Sequence, residues 1–372
     1  MYRDHTVGVV IPAYNEEGLI GGVIREMPEY VDRMYVIDDC STDGTWDEIL
    51  EAARTDRYDS ITHQEMGSGD ESIADSPLRA ADGGDPSTEP HRTDGGGMLI
   101  ERAKLHDPIG RVLPIQHREN LGAGGSIKTG YLAALQDEVD ITVTVDGDGQ
   151  MDLSQMPKLM DPIVEDEADY AKGNRLLYRE YRADMPKFRF FGNSILTFLT
   201  KISSGYWKTM DPQNGYTAIS YYALNNVGIE AMYEYYGYCN DLLVKLNTKG
   251  MRVADVAIPA IYGEEESNIS YTTYIRKVSW MLLGNFFWRL KTKYLVLDFH
   301  PLAFLYIFGL SATLGGTAAT LWTIYQYTIL GGDLFVRASL SMLVFLIGSL
   351  FLIHAMLFDM QVNEDKEVQV RE

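Results

Sequence analysis

The hydrophobic pattern changes period several times along the chain. "VGVVIPAY" (Val7 to Tyr14) is a short apolar, β-branched run that reads as a strand ending at a loop. "NEEGLIGGVIREMPEY" follows with helical spacing through Leu19, Ile20, Val23, Ile24 and Met27. "MYVIDD" (Met34 to Asp39) is a second strand, and the cap-type residues Ser41, Thr42 and Asp43 lead into a helix from about Gly44 to Arg54. Val112 to His117 and Ile141 to Val145 are predicted as further strands, with a loop and helix between them. Such alternation predicts an α/β architecture with a mostly parallel sheet and right-handed crossovers. Ligands bind these sheets beyond the carboxyl ends of the strands, where the polar clusters of this chain fall.

Further along, "DYAKGNR" (Asp169 to Arg175) reads as a strand ending in charge. A helix from about Arg189 to Ile202 precedes the loop "GYWKTMDPQNGYTAIS", and another covers about Asn240 to Lys249. "VADVAIPAIY" closes the catalytic-type part, residues 1–262, as a strand. Residues 263–300 mix bulky apolar side chains with Arg276, Lys277, Arg289, Lys291 and Lys293. They read either as amphipathic helices at a membrane surface, cations at headgroup level, or as a plain linker helix. Within 301–359, Leu302 to Tyr325 carries no charge, and Ala338 to Phe358 has His354 as its only titratable group. At ~1.5 Å per residue each run spans a ~30 Å hydrocarbon core, so two transmembrane helices are expected. Residues 360–372 are expected to form a polar tail.

One stretch breaks the pattern. Residues 59–97 are rich in Gly, Asp, Ser and Pro with few large apolar side chains, and read as a flexible acidic insertion, either a tolerated surface loop or a docking segment. The whole chain is acidic: 32 Lys+Arg against 53 Asp+Glu give a net charge of −21 among 372 residues. That field argues against a nucleic-acid partner and suits the solvated surface of proteins adapted to high salt. Cys40 and Cys239, far apart, suggest no disulfide framework or zinc site. The N-terminus has no apolar signal core, and the basic residues precede the first span. The expected placement is therefore a two-span protein of the cell membrane, with the large domain and both termini in the cytoplasm.

The candidate chemistry lies in "ITVTVDGDGQ", Ile141 to Gln150. In an extended strand side chains two apart point to one side, so Asp146 and Asp148 are expected to converge, and Gly147 and Gly149 leave room for a ligand. Paired carboxylates without His or Cys nearby suit Mg²⁺ or Mn²⁺ shared with substrate phosphates, with Gln150 as a further oxygen ligand. Around this pair "IPAYNE" at 11–16, "DDCSTDGT" at 38–45, "RENLGAGGS" at 118–126 and "DPQNGY" at 211–216 appear in order. Together the motifs resemble the inverting family 2 glycosyltransferases of GT-A (Rossmann-like) fold. Within these the chain is similar to the polyprenyl-phosphate glycosyltransferases, the group of dolichol-phosphate mannose and glucose synthases. The resemblance covers roughly residues 6–260, interrupted by the insertion.

The resemblance implies a nucleotide-sugar donor, GDP- or UDP-hexose, a polyprenyl (dolichyl) phosphate acceptor and a lipid bilayer as partner. Pro12, Tyr14 and Glu16 would line the nucleotide site, Asp39 would lie near the base or ribose, and Asp38 would instead satisfy backbone donors. Asn120, Gly122 and Gly124 would shape the neighbouring loop, with a simple helix start as the rival. Asp146, Asp148 and Gln150 match the metal–diphosphate motif, Asp146 nearest the sugar. Arg175 and Arg189 match positions of acceptor-phosphate binding, a surface arginine being the alternative for Arg189. Asp241 would act as acid–base or cap its helix; Asn240 beside it departs from the family's acidic pair. Tyr216, Thr217 and Ala218 depart too, where relatives carry Phe and a basic residue, and Lys208 would have to substitute. The expected activity is metal-dependent transfer of mannose or glucose to dolichyl phosphate, in the manner of protein glycosylation. The rivals are extension of a lipid-linked saccharide or polysaccharide, and a non-catalytic nucleotide-binding membrane scaffold.

Overall fold

The computed structural model describes residues 1–67, 95–176, 187–259, 271–331 and 335–370. Its strands, in chain order, are β1 (Val7–Ala13), β2 (Arg33–Asp38), β3 (Ala103–Leu105), β4 (Val112–His117), β5 (Ile141–Thr144), β6 (Tyr170–Asn174), β7 (Thr217–Ser220), β8 (Val253–Ala257) and β9 (Glu367–Val370). The helices are α1 (Ile20–Arg25), α2 (Thr45–Gly67), α3 (Gly95–Arg102), α4 (Ala123–Gln136), α5 (Met156–Val164), α6 (Lys187–Ser204), α7 (Tyr221–Asn226), α8 (Tyr238–Thr248), α9 (Tyr271–Arg289), α10 (Leu302–Leu330) and α11 (Phe335–Val362). They form two compact units, one of Met1–Glu165 with Gly215–Tyr238, the other of Asp166–Asn214, Cys239–Pro259 and Glu266–Glu372.

In the first unit the strand order is β3-β4-β2-β1-β5-β7. β1 pairs in parallel with β2 and β5, and β2 in parallel with β4, as the alternation predicts. The mixed α/β sheet is consistent with the expected GT-A fold. β1 is apolar along almost its whole length because both of its faces are covered. α4 packs so closely on it that Gly130 lies against Val10 with no room for a side chain. Two short strands were not expected: β3 and β7 join antiparallel to β4 and β5, respectively. The helix predicted to end near Arg54 continues to Gly67, because no Gly or Pro interrupts residues 45–66. Thus part of the stretch assigned to the insertion is helical at both ends, in α2 and α3, and 68–94 lie outside the described residues.

In the second unit β8 pairs in parallel with β6 on one side and with β9 on the other. The last strand replaces the expected free polar tail. α6 and α9 share an apolar contact through Leu196, Val278 and Leu282. α9 then widens into π-helical turns over Leu290–Leu297 before α10. Of the cations expected at headgroup level, Arg276, Lys277 and Lys291 are exposed, but Arg289 and Lys293 are buried. Arg289 grips Asp359 of α11 with Nη1–Oδ1 3.0 Å and Nη2–Oδ2 2.8 Å. Lys293 Nζ donates to Asn247 Oδ1 at 2.6 Å and Asn363 Oδ1 at 2.8 Å.

α10 and α11 are long and apolar enough to cross a bilayer, and only 28% and 17% of their most apolar windows are buried. A core helix of a soluble domain would be mostly covered; these present Phe, Leu, Ile and Trp outward. Their shared seam is built of small residues seven apart: Gly309, Gly316 and Thr323 on α10, Ser341, Gly348 and Ala355 on α11. Between apolar helices in lipid, close backbone approach supplies the attraction that the hydrophobic effect does not. A Cβ at Gly316 would stand 2.5 Å from the Phe345 nitrogen, whereas Gly315 has nothing within 4 Å. Gly316→Leu is expected to lower the stability of the detergent-solubilised protein by about 1–3 kcal/mol in thermal unfolding. Gly315→Ala should leave it unchanged or slightly raised.

Candidate active site

The parallel strands of the first unit all release the chain at one edge of the sheet. β1 leads from Pro12 to Tyr14 and Glu16, β2 to Asp39, β4 to Asn120, and β5 to Asp146, Asp148 and Gln150. The edge therefore collects every expected nucleotide and metal residue. The first two loops are interlocked. Asn15, in the left-handed region at φ +57°, donates its N–H to Ser41 Oγ at 3.0 Å and accepts from Thr42 N–H at 2.8 Å. The Glu16 N–H donates to Thr45 Oγ1 at 2.8 Å, and Tyr14 is left exposed.

Both Asp38 and Asp39 are buried. Asp38 accepts the Ser41 N–H at 3.0 Å and the Gln116 amide at 3.3 Å, which matches its expected part in satisfying backbone donors. Asp39 is engaged more heavily. Its Oδ1 lies 2.6 Å from His117 Nδ1 and accepts the Leu121 N–H at 2.8 Å, while Oδ2 accepts the Gly122 N–H at 2.8 Å. The other ring nitrogen of His117 lies 2.8 Å from Thr129 Oγ1. Asn120 Nδ2 donates to the Asp39 carbonyl at 3.1 Å. The Asp39 side chain thus holds the glycine loop from beneath, and Gly122, at φ +77°, makes the turn that presents its N–H. His117, which sequence alone did not single out, orients this carboxylate.

Asp146 and Asp148 follow β5 on a turn, not on the strand itself, so alternation of side chains does not set their direction. Both are half-buried, and Asp148 Oδ1 accepts the Gln150 N–H at 2.9 Å. Gly147 serves packing: a Cβ there would meet the Pro12 carbonyl at 2.7 Å. Gly149 makes the turn at φ +71°. A Cβ on Gly215 would lie 3.5 Å from both Asp146 carboxylate oxygens and 3.2 Å from the Tyr238 hydroxyl, so this wall is kept bare. Two half-exposed carboxylates form an all-oxygen donor set, which fits a hard divalent ion that completes its shell with phosphate oxygens. Among the described residues no group of three or more His, Cys, Asp or Glu could hold a metal unaided.

A tyrosine-rich segment covers the glycine loop. The Gly125 N–H donates to the Glu234 carbonyl at 2.8 Å, and Glu234 Oε1 receives Arg102 at 2.9 Å and Lys128 at 2.8 Å. Tyr235 and Tyr236, beside this anchor, are exposed. Partial desolvation, then the charges of Asp146, Asp39 and Glu16, raise the Tyr236 phenol above its ordinary value. Sequence patterns gave no signal for it beyond the run of tyrosines.

The second unit holds the expected acceptor residues. Arg175 grips buried Asp211 with Nε–Oδ2 2.7 Å and Nη2–Oδ1 2.9 Å, and its own N–H adds a third bond to Oδ2 at 3.1 Å. Asp241 is buried in the first turn of α8, not at its cap; its Oδ1 accepts Asn285 Nδ2 at 2.7 Å, and Lys245 Nζ lies 3.2 Å from Oδ2. Lys208 turns towards Glu364, 3.5 Å away. Arg189 lies in the first turn of α6, and its side chain is outside the described residues.

Comparison with known proteins adds a family. The sequence profile of glycosyl transferase family 2 matches residues 8–67 and 99–228, and the gap between them overlaps most of the predicted insertion. A relative, UDP-N-acetylglucosamine–dolichyl-phosphate N-acetylglucosaminyltransferase of Methanococcus voltae, is 26% identical over 262 residues, 70% of this chain and 88% of its own. An uncharacterized protein of Methanocaldococcus jannaschii is 25% identical over 256 residues, 69% of this chain and 82% of its own. Glucosyl-3-phosphoglycerate synthase from Mycobacterium tuberculosis, solved with UDP, aligns over 76% of this chain and 80% of its own, with 18% identity and a TM-score of 0.47.

The Arg175–Asp211 pair has a pH signature. Burial alone would raise the Asp211 carboxyl, but Arg175 and then Lys172 hold it below the ordinary carboxylate range. Its stabilisation is therefore present above the ordinary carboxylate pKa and is lost as pH falls through the depressed folded value. Arg175→Ala leaves a buried, unpaired carboxylate and is expected to cost about 3–5 kcal/mol near neutrality. In thermal unfolding the deficit should shrink below about pH 5, where Asp211 of the variant takes up a proton.

Proposed function

The chain belongs to glycosyl transferase family 2, and from that membership we propose that it transfers a hexosyl unit, plain or N-acetylated, from a nucleotide-sugar to dolichyl phosphate. The observation that carries the proposal is the joining, in one chain, of the family's donor-side motifs to a pair of long, outward-apolar helices. Such helices would keep the enzyme at a bilayer, and a polyprenyl phosphate is itself a membrane lipid. The relative from Methanococcus voltae supports this acceptor by its name, and it brings N-acetylglucosamine into consideration beside the expected mannose and glucose.

The chemistry asks little of a base. A phosphate monoester with a second pKa of ~6 is largely dianionic near neutrality, so its oxygen can attack the anomeric carbon directly. The C1–O bond to the nucleoside diphosphate breaks in line and the configuration inverts. Asp146 and Asp148, with Gln150, would hold Mg²⁺ or Mn²⁺, which when bound offsets the charge of the departing diphosphate. Pro12, Tyr14 and Glu16 line the donor edge, while Asp39 acts by fixing the loop of Asn120 and Gly122. In the second unit Arg175, set by Asp211, and Arg189 draw in the acceptor phosphate. Asp241, tied to Lys245 and Asn285, holds α8 to α9.

β8 precedes the two apolar helices and β9 follows them, yet these strands are hydrogen-bonded to each other. Crossing as a hairpin, the chain must then enter and leave the bilayer on one side. The exposed Arg276, Lys277 and Lys291 favour the cytoplasmic side. Membranes containing the protein, given dolichyl phosphate and labelled UDP-N-acetylglucosamine, UDP-glucose or GDP-mannose in turn, should form a labelled sugar–phosphate lipid with one of them. Asp148→Ala should reduce that transfer by ~100-fold or more. Label in the lipid from none of the three, or undiminished turnover in the variant, would sink the proposal.

A further inference from the structure

Beyond the second apolar helix the chain does not trail away. Asn363 Nδ2 donates to the Asp359 carbonyl at 2.7 Å, the Lys366 N–H returns to the Asn363 carbonyl at 3.1 Å, and β9 begins. Its register against β8 sets Val253 opposite Glu367 and Asp255 opposite Gln369. Glu367, the first residue of β9, is buried. Its carboxylate accepts three successive backbone N–H groups: Trp207 at 2.7 Å, Lys208 at 2.6 Å and Thr209 at 2.9 Å. The Thr209 hydroxyl adds a contact at 3.3 Å, and Gln369 Nε2 donates to the Lys208 carbonyl at 3.1 Å.

The next links run inward along the same loop. The Met210 N–H donates to Asp255 Oδ2 at 3.3 Å, and its carbonyl receives Lys172, which is paired with Asp255 at 2.6 Å. Asp211 follows, gripping Arg175. Four consecutive N–H groups, from Trp207 to Met210, are thus held by two carboxylates, one of which arrives from beyond the membrane helices. Successive N–H groups turned to one side form a strong anion site, and loops otherwise leave such donors to water.

We propose that Glu367 is a positioning residue for the acceptor side of the reaction: the segment after the membrane hairpin sets the Trp207–Asp211 loop, and through Asp211 it sets Arg175. The inference rests on the proposed transfer to dolichyl phosphate for its kinetic consequence, but not for its structural one. The hairpin is then not a passive tether, because the unit that carries the loop holds a strand from each side of it in the chain, β8 before it and β9 after it, paired with one another.

The test compares the full-length protein with Glu367→Ala and Glu367→Gln, the latter keeping the shape and one acceptor oxygen. Hydrogen exchange of the Trp207, Lys208 and Thr209 amides should rise by ~10-fold or more in Glu367→Ala, and less in Glu367→Gln. The KM for dolichyl phosphate should rise at least ~5-fold in Glu367→Ala while the KM for the nucleotide-sugar stays within ~2-fold, with partial recovery in Glu367→Gln. Unchanged exchange at those amides would overturn the positioning role. So would equal rises in both KM values, the mark of a generally loosened protein. If the unaltered protein glycosylates no dolichyl phosphate, the functional proposal falls, and the exchange comparison still decides whether Glu367 holds the loop.

Discussion

A carboxylate in the last turns of an apolar helix is costly unless it is paired, and Asp359 of α11 is paired from two sides. Arg289 meets it with both terminal guanidinium nitrogens, the Tyr294 hydroxyl donates at 2.6 Å, and Asn363 Nδ2 donates at 3.0 Å. Arg289 also donates to the Ile202 carbonyl at the end of α6. One buried ion pair therefore ties the end of the second apolar helix to α9, to its π-helical continuation and to α6. Removing either partner would strand a charge in an apolar surround, so the pair specifies a single arrangement even where its net contribution to stability is small. Gly205, at φ +80°, lies against the guanidinium with no space for a side chain, so the loop after α6 is shaped by the same pair.

From this junction the chain gains its direction. Asn363 binds Lys293 as well as Asp359, and Lys293 reaches Asn247 of α8. The turn at Asn363 then aims the chain into β9, where Glu367 takes up the donors of the Trp207–Thr209 stretch. The two apolar helices, α9 and the Trp207–Asp211 loop are parts of one hydrogen-bonded assembly within the second unit.

Sequence shows some of this and hides the rest for physical reasons. β1, β2, β4 and β5 are buried on both faces and rich in β-branched residues, so their apolar runs stand out and their ends fall within a residue of expectation. β3, β7 and β9 are short and partly polar, and nothing in their periodicity separates them from loops. The second apolar run reads as ending at Phe358 because Asp359 follows, while the helix continues to Val362 with that carboxylate buried. Arg289 and Lys293 were expected among headgroups for a related reason: their partners lie 70 residues away in sequence, beyond the reach of any local pattern. The motifs after β1, β2, β4 and β5 fall together at one edge of the sheet, but His117 came to light only with its contacts.

The carboxylates of the donor edge divide into two kinds, and the division bears on how a donor could arrive. Asp38 and Asp39 are buried and bound by N–H groups, a side-chain amide and an imidazole, so their charge is answered from within the protein. Asp146 and Asp148 are half-exposed on a turn whose Gly147 packs closely on the Pro12 carbonyl. A chain of net charge −21 places them in a field that repels a nucleoside diphosphate. A divalent cation bridging carboxylate and phosphate oxygens would reverse the sign of the local interaction. In the proposed reaction the donor should therefore bind as its metal complex or with metal already on the turn, and affinity for the metal-free nucleotide-sugar should be weak for electrostatic reasons alone.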